Sequence, residues 1–212
     1  MKKIYLIAFI ALAFASCKKN DQLPGDGGCI TRIKRQNFNI KSSDSVSAIQ
    51  LLKQNNIPYN DIQLEYFSSY DVPTSDVNAG TYQSVFVIQQ INGLPVLSGE
   101  IWYQFKNNVL QATSGVRYGA INLSTSSALQ LTQLRAAYIA EVNKHNSTLA
   151  TGLKDSCLVA QFGYYDLNDN VNSTPNFVKA WWVAPKNASY PQAVFQDGSG
   201  KTINYNSGII LF

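Results

Sequence analysis

The stretch "QQINGLPVLSGEIWYQF", residues 89–105, decides how this 212-residue chain is to be read. Two patterned runs flank Asn92-Gly93, a dipeptide that favours the left-handed conformations of a two-residue hairpin turn. Gly93 permits positive φ, and Pro95 presets the backbone entering the second run. By alternation, Leu97, Ile101, Tyr103 and Phe105 share one face with Gly99. Ser98, Glu100 and Gln104 share the other, with Trp102 as its one large apolar member. The segment predicts a hairpin that sets sheet register and carries no catalytic group of its own.

Working outward, the same order of elements is expected twice. "SSDSVSAIQLLKQNN" predicts a helix, with Ser43 or Asp44 as N-cap and Val46, Ala48, Ile49, Leu51 and Leu52 as an apolar stripe. Strands are expected near 62–71, 81–91, 95–105 and 108–118. "LTQLRAAYIAEVNKH" restarts the pattern, with Thr132 as N-cap and Leu134, Ala137, Tyr138 and Val142 on one face. Strands near 156–167, 176–185, 190–197 and 201–206 follow, the last two joined by an Asp-Gly turn at Asp197. This repeat predicts an α+β fold of two tandem helix-on-antiparallel-sheet units, spanning 38–126 and 127–212.

The first residues read as a leader. Lys2 and Lys3 precede an apolar run, Ile4 to Ala15, then Ser16 and Cys17. The small residues before a cysteine resemble a bacterial lipobox, although Phe14 stands where Leu is usual. The resemblance implies removal of a signal peptide, 1–16, and acylation of Cys17 by palmitate-like chains. Each buried acyl CH₂ is worth about 0.8 kcal/mol, so two or three chains hold a protein durably on a bilayer. The expected location is the cell envelope, lipid-anchored at the bacterial outer membrane, with residues 17–37 as a tether.

Removing Lys2 and Lys3 leaves 15 Lys and Arg against 13 acids. Arg32, Lys34 and Arg35 form a short basic run, but no basic stripe with interleaved aromatics follows, which argues against nucleic acid as a partner. With Cys17 assigned to lipid, Cys29 and Cys157 remain as an even pair in an exported chain. They fit either a disulfide joining distant parts of the chain or two separately buried thiols. No CxxC or HExxH spacing supports a metal site, and no cofactor motif is present.

Catalysis is poorly supplied. The single histidine, His145, falls in the last turn of an expected helix, where a surface role at the helix dipole suffices. Ten Asp and three Glu are available for carboxylate chemistry, and Glu100 is the one on a clear strand. Asp166 and Asp169, in "DLNDN", loosely resemble a calcium loop without its full pattern. A non-enzymatic role is therefore expected. The aromatics point to binding instead. Adjacent Trp181 and Trp182 must face opposite sides of a strand, and with Trp102 they form the candidate binding patch.

The span "VFVIQQINGLPVLSGEIWYQFKNNVLQATSGVRY" resembles the FTP propeptide module of fungalysin- and thermolysin-like metalloproteases. Its matching features are Gln89 and Gln90, the Asn92 to Val96 turn, Gly99, and the strand after Asn107-Asn108. "INLSTSSALQLTQLRAAYIAEV" and "VKAWWVAPKNASYPQAVFQDGSGKTI" are similar to that family's PepSY module. The resemblance implies a cystatin-like layout in each unit and a chaperone or inhibitor role toward a protease. The sequence ends at Phe212 with no zinc catalytic domain in it, so a trans-acting protease inhibitor, or a module binding another envelope protein, is the expectation. The alternative is a scaffold or ligand-binding lipoprotein that recognises a glycan or peptide on a sheet face.

Overall fold

The computed structural model describes residues 28–34, 40–168 and 174–208. Nine strands and three helices follow in the order β1 (Ile30–Ile33), α1 (Ser42–Gln54), β2 (Ile62–Val72), β3 (Gly80–Ile91), β4 (Leu94–Lys106), β5 (Val109–Ser114), α2 (Leu131–His145), α3 (Ser147–Leu153), β6 (Leu158–Asp166), β7 (Phe177–Pro185), β8 (Gln192–Gln196) and β9 (Thr202–Asn206).

The expectation of two tandem helix-on-antiparallel-sheet units is corrected. The strands form one nine-stranded mixed sheet, with the path β2-β3-β4-β6-β7-β8-β9 and with β1 and β5 as side branches. Strand accounts for 43% of the structure and helix for only 20%, so the fold is mostly β. The physical reason is non-local. The sequence repeat reports only local order, whereas Val96 of β4 pairs in parallel with Tyr164 of β6 and joins the two halves edge to edge. β1 adds a second parallel pairing to β6, from Ile30–Leu158 to Ile33–Gln161. Residues 30–33, read as tether, are therefore held in the sheet.

The quoted hairpin explains how β4 reaches β6. Asn92 and Gly93 have φ of 54° and 76°, both left-handed, as a tight hairpin requires. The register with β3 then passes from Gln90–Pro95 to Ile88–Glu100, which leaves Val96 to Gly99 outside that pairing. In this bulge Val96 turns toward β6, and its side chain crowds Gly99. A Cβ on Gly163 would collide with the Pro95 carbonyl oxygen, so the crossing needs a glycine there. The bulge also corrects the expected alternation. Leu97 packs with Ala180 and Val194, whereas Ile101, Tyr103 and Phe105 pack beneath α1.

All three helices lie on one side of the sheet. α1 buries Ala48, Leu51 and Leu52 on Val85, Val87 and Ile101. Its N-cap is Lys41, without a side-chain cap, rather than Ser43 or Asp44. Asn55 fastens its other end, donating to the Asn108 carbonyl at 2.9 Å and accepting from Leu110 N–H at 2.9 Å. α2 starts one residue before Thr132, with Gln130 and Gln133 forming a capping box. It buries Leu134, Tyr138 and Val142 against Phe162, Trp181, Val183 and Phe195. A disulfide joins Cys29 to Cys157 across a separation of 128 residues. Beside it Arg135, 0% exposed, donates to the carbonyls of Cys29, Leu153, Lys154 and Ser156.

Candidate functional site: the helix-free face of the sheet

Alternation sends every second side chain of β3, β4, β6 and β7 to the side without helices. Phe86, Ile88 and Glu100 from the first half and Val159 and Trp182 from the second meet there and line one cleft of about 490 Å³. A neighbouring cleft of about 250 Å³ runs over Leu97, Glu100, Tyr165, Trp182, Asn204 and Asn206. Glu100, Trp182 and Gln192 line both. The larger volume lies within the usual range for ligand pockets.

An aromatic platform borders the larger cleft. Trp102 stacks on Phe86 with centroids 4.5 Å apart and planes 22° apart, and Tyr66 flanks Trp102 at 6.1 Å. Cross-strand register builds it, since Tyr66 opposes Phe86 and Phe86 opposes Trp102. Farther along, Tyr70 stacks on Tyr82 at 5.5 Å. The same two strands, β2 and β3, carry two linked amides that end on a carboxylate. Gln90 donates to Gln63 at 3.0 Å, and Gln63 donates to the Glu65 carboxylate.

The three tryptophans differ in what their indole N–H does. Trp181 is 2% exposed, donates to Asp197 at 3.1 Å and belongs to the core under α2. It therefore leaves the candidate patch. Trp182, on the opposite face and half-buried, donates to Gln192 at 3.2 Å, which fixes its ring at the junction of the two clefts. Trp102 is 38% exposed, and its N–H has no hydrogen-bond partner among the described residues. Trp102 and Trp182 thus remain as surface candidates on one face.

His145 and Asp166 are held in contacts within the fold. His145 stacks on Tyr205 at 4.1 Å and contacts Glu141 at 3.2 Å. Glu141 also accepts from Lys144 and from Thr202, each at 2.7 Å. Burial opposes its ionisation, but these hydrogen bonds outweigh burial and hold the carboxyl below its ordinary value. Burial and the Glu141 charge push Tyr205 up, and burial with Tyr205 does the same to Tyr138, whose hydroxyl donates to the Pro191 carbonyl at 2.8 Å. Asp166 accepts from the N–H groups of Asn168 and Asn176 at 3.0 and 2.7 Å and closes the base of its loop. Asp169 and Cys17 lie outside the described residues. Among the described residues no three His, Cys, Asp or Glu side chains are grouped to hold a metal ion.

Asp197 was expected only as a turn residue. Its fully buried carboxylate accepts from Ala128 N–H at 2.8 Å, Leu129 N–H at 2.9 Å and the Trp181 indole, with Lys179 at 3.5 Å. Burial raises its pKa, but the two backbone donors, the indole and Lys179 together hold it below the ordinary value.

No family model matches this chain, and no curated protein matches it. Among solved structures, an uncharacterized protein from Eubacterium rectale aligns with a TM-score of 0.39 and 11% identity, over 81% of this chain and 58% of that one. The chain thus spans less than two thirds of that protein's length, and a likeness of this size carries no argument about fold or role.

Proposed function

We propose that this chain is a non-catalytic, lipid-anchored envelope protein that binds its ligand on the helix-free face of the sheet. The observation that carries the reading is Trp102. Its ring is stacked yet exposed, and its N–H has no hydrogen-bond partner among the described residues. Exposed tryptophans of this kind supply contact energy at low entropic cost. The propeptide resemblance supports the binding of a partner, and a protease is the partner it suggests.

A photo-crosslinking residue placed at position 102 in cells tests this. Adducts are expected from position 102 and not from Val46, which is exposed on α1 at the opposite side. Equal yields at both would remove the binding face. Turnover of any substrate, abolished by Glu100→Gln, would overturn the non-catalytic part. The anchor rests on the Ser16-Cys17 signal, and no helix among the described residues is long and apolar enough to cross a membrane. Cys17→Ala is expected to move the protein out of the carbonate-washed membrane fraction. Retention there would show that something other than acylation holds it.

A further inference from the structure

We infer that this chain forms a two-fold dimer in which the outer edge of β2 pairs with the same edge of a second copy, centred on Ser69. The inference stands independently of the binding face proposed above.

β2 is the unguarded edge of the sheet. β1, β5 and β9 are each paired on one side only, but they span just four, six and five residues. Shortness blunts an edge against further strands. β2 is paired only with β3 and runs for 11 residues. Its regular part, 66–72, contains no Lys, Arg or Pro, residues that commonly guard such an edge. Its one charged side chain, Asp71, accepts from the Thr81 hydroxyl at 2.6 Å.

The backbone groups that point outward follow from β3. Thr81 spends its backbone on the β4 side. Its carbonyl accepts from Asn107 N–H at 2.8 Å, and its N–H donates to the Asn107 side chain at 2.9 Å. Thr81 opposes Asp71 in the β2–β3 register. Successive residues of a strand alternate the side to which they bond. Asp71, Ser69 and Phe67 therefore direct their N–H and carbonyl groups away from β3. Among the described residues no hydrogen bond reaches those outward backbone groups.

The limits of this open segment select a second copy as its occupant. At one end lies the bulge between Leu64 and Tyr66. At the other lies Pro73, which has no N–H to donate. Ser69 is midway between them. An antiparallel copy with Ser69 opposite Ser69 brings Phe67 opposite Asp71 and Tyr66 opposite Val72. Every outward donor then meets an outward acceptor, and neither the bulge nor the proline enters the ladder. Moving the axis by one residue carries Asp71 onto Glu65 of the second copy, or Phe67 onto Pro73 of the second copy. A foreign strand gives no reason for this symmetry of bounds. The small serines at the centre let the two edges approach. On the helix-free face Tyr70, 57% exposed and stacked on Tyr82 at 5.5 Å, acquires Tyr66 and Tyr70 of the second copy as diagonal neighbours. The axis runs perpendicular to the sheet, so both helix-free faces look the same way.

The test is sedimentation of the detergent-solubilised full chain over a concentration series, joined to disulfide trapping of Ser69→Cys in cell envelopes. The wild type is expected to pass from monomer to dimer as concentration rises. Residues directly opposite in such a pair have Cα atoms about 5.5 Å apart, within the span of a disulfide, so Ser69→Cys should give a covalent dimer under mild oxidation. Val109→Cys, on the β5 edge and 59% exposed, should not. Ser69→Lys sets like charges opposite each other and should weaken dimerisation at least about tenfold, while Ser69→Thr should preserve it. Running Ser69→Lys in the same detergent separates pairing from shared micelles, and circular dichroism confirms that each variant is folded. A wild-type monomer throughout the series, a dimer that Ser69→Lys leaves intact, or equal trapping through Val109→Cys overturns the inference. Trapping of Ser69→Cys on a different protein rather than on itself overturns it too and makes β2 an edge for a foreign strand. Adducts from position 102 report on the binding face alone, so its failure is told apart from failure of the dimer.

Discussion

The two faces of this sheet use the same residue types for opposite ends. Under the helices, Trp181 packs against Phe162 at 5.0 Å, and its N–H is consumed by a buried carboxylate. On the other face Trp102 packs against Phe86 at 4.5 Å, and its N–H has no hydrogen-bond partner among the described residues. Both pack against a phenylalanine of a neighbouring strand, tilted at 47° in the first case and stacked at 22° in the second. What differs is cover. α2 and α3 close the first, and among the described residues no helix closes the second. An aromatic ring is therefore evidence of stability or of binding according to what lies above it, not according to its strand.

The comparison breaks most sharply on Trp181→Ala. Deleting a buried Trp should cost about 3–5 kcal/mol by chemical denaturation, because the surrounding core cannot close the hole. A loss under about 1 kcal/mol would mean that this face is not the core. Replacing both Cys29 and Cys157 by Ser should cost about 2–5 kcal/mol, since the bridge restricts a loop of 128 residues in the unfolded chain. Unchanged stability in that variant would show that β1 is held by its sheet pairing and by Arg135 alone.

Asp197→Asn sharpens the covered side further. It weakens the hold on Ala128 and Leu129 and should cost about 1–3 kcal/mol at neutral pH. Asp197 has a depressed folded pKa, so its contribution is present above the ordinary value of 3.8 and is lost as pH falls through the lower folded value. The difference between wild type and variant should shrink across that acid range. A constant difference would assign the loss to packing rather than to charge. At the bottom of the scale, Trp102→Ala should change stability by no more than about 1 kcal/mol, the worth of an exposed aromatic pair. A larger loss would place Trp102 with Trp181 and erase the distinction.

Much of the local structure was legible. Asn92-Gly93, the alternation after residue 100, and the periodic stripes of α1 and α2 announce their elements directly, because each signal lies within a few residues of its effect. The union of the halves was not legible. It depends on a four-residue bulge in β4 and one parallel pairing across 68 positions, and neither leaves a local pattern. The short β1 and α3 were missed for a related reason. Four residues of "ITRI" become a strand only because β6 offers an edge. At the site, Trp102 stood out as the one large apolar residue on a polar face, which was the available signal. That Tyr66 and Phe86 complete the platform depended on cross-strand register, which alternation within each strand does not supply. Asp197 and Arg135 act through carbonyls and N–H groups far away in sequence, so their roles could not be read from their neighbours.

The most direct test follows the three indole N–H signals of the nitrogen-labelled full chain by nuclear magnetic resonance, first in deuterated buffer and then with a ligand that binds. The Trp102 signal should exchange fastest and shift most on ligand addition. Trp182 should be protected by Gln192 yet respond to ligand, and Trp181 should be protected and unmoved. A slowly exchanging Trp102 that ignores the ligand, or a Trp181 that shifts as far as Trp102, would contradict the division of the sheet into a covered core face and an open binding face.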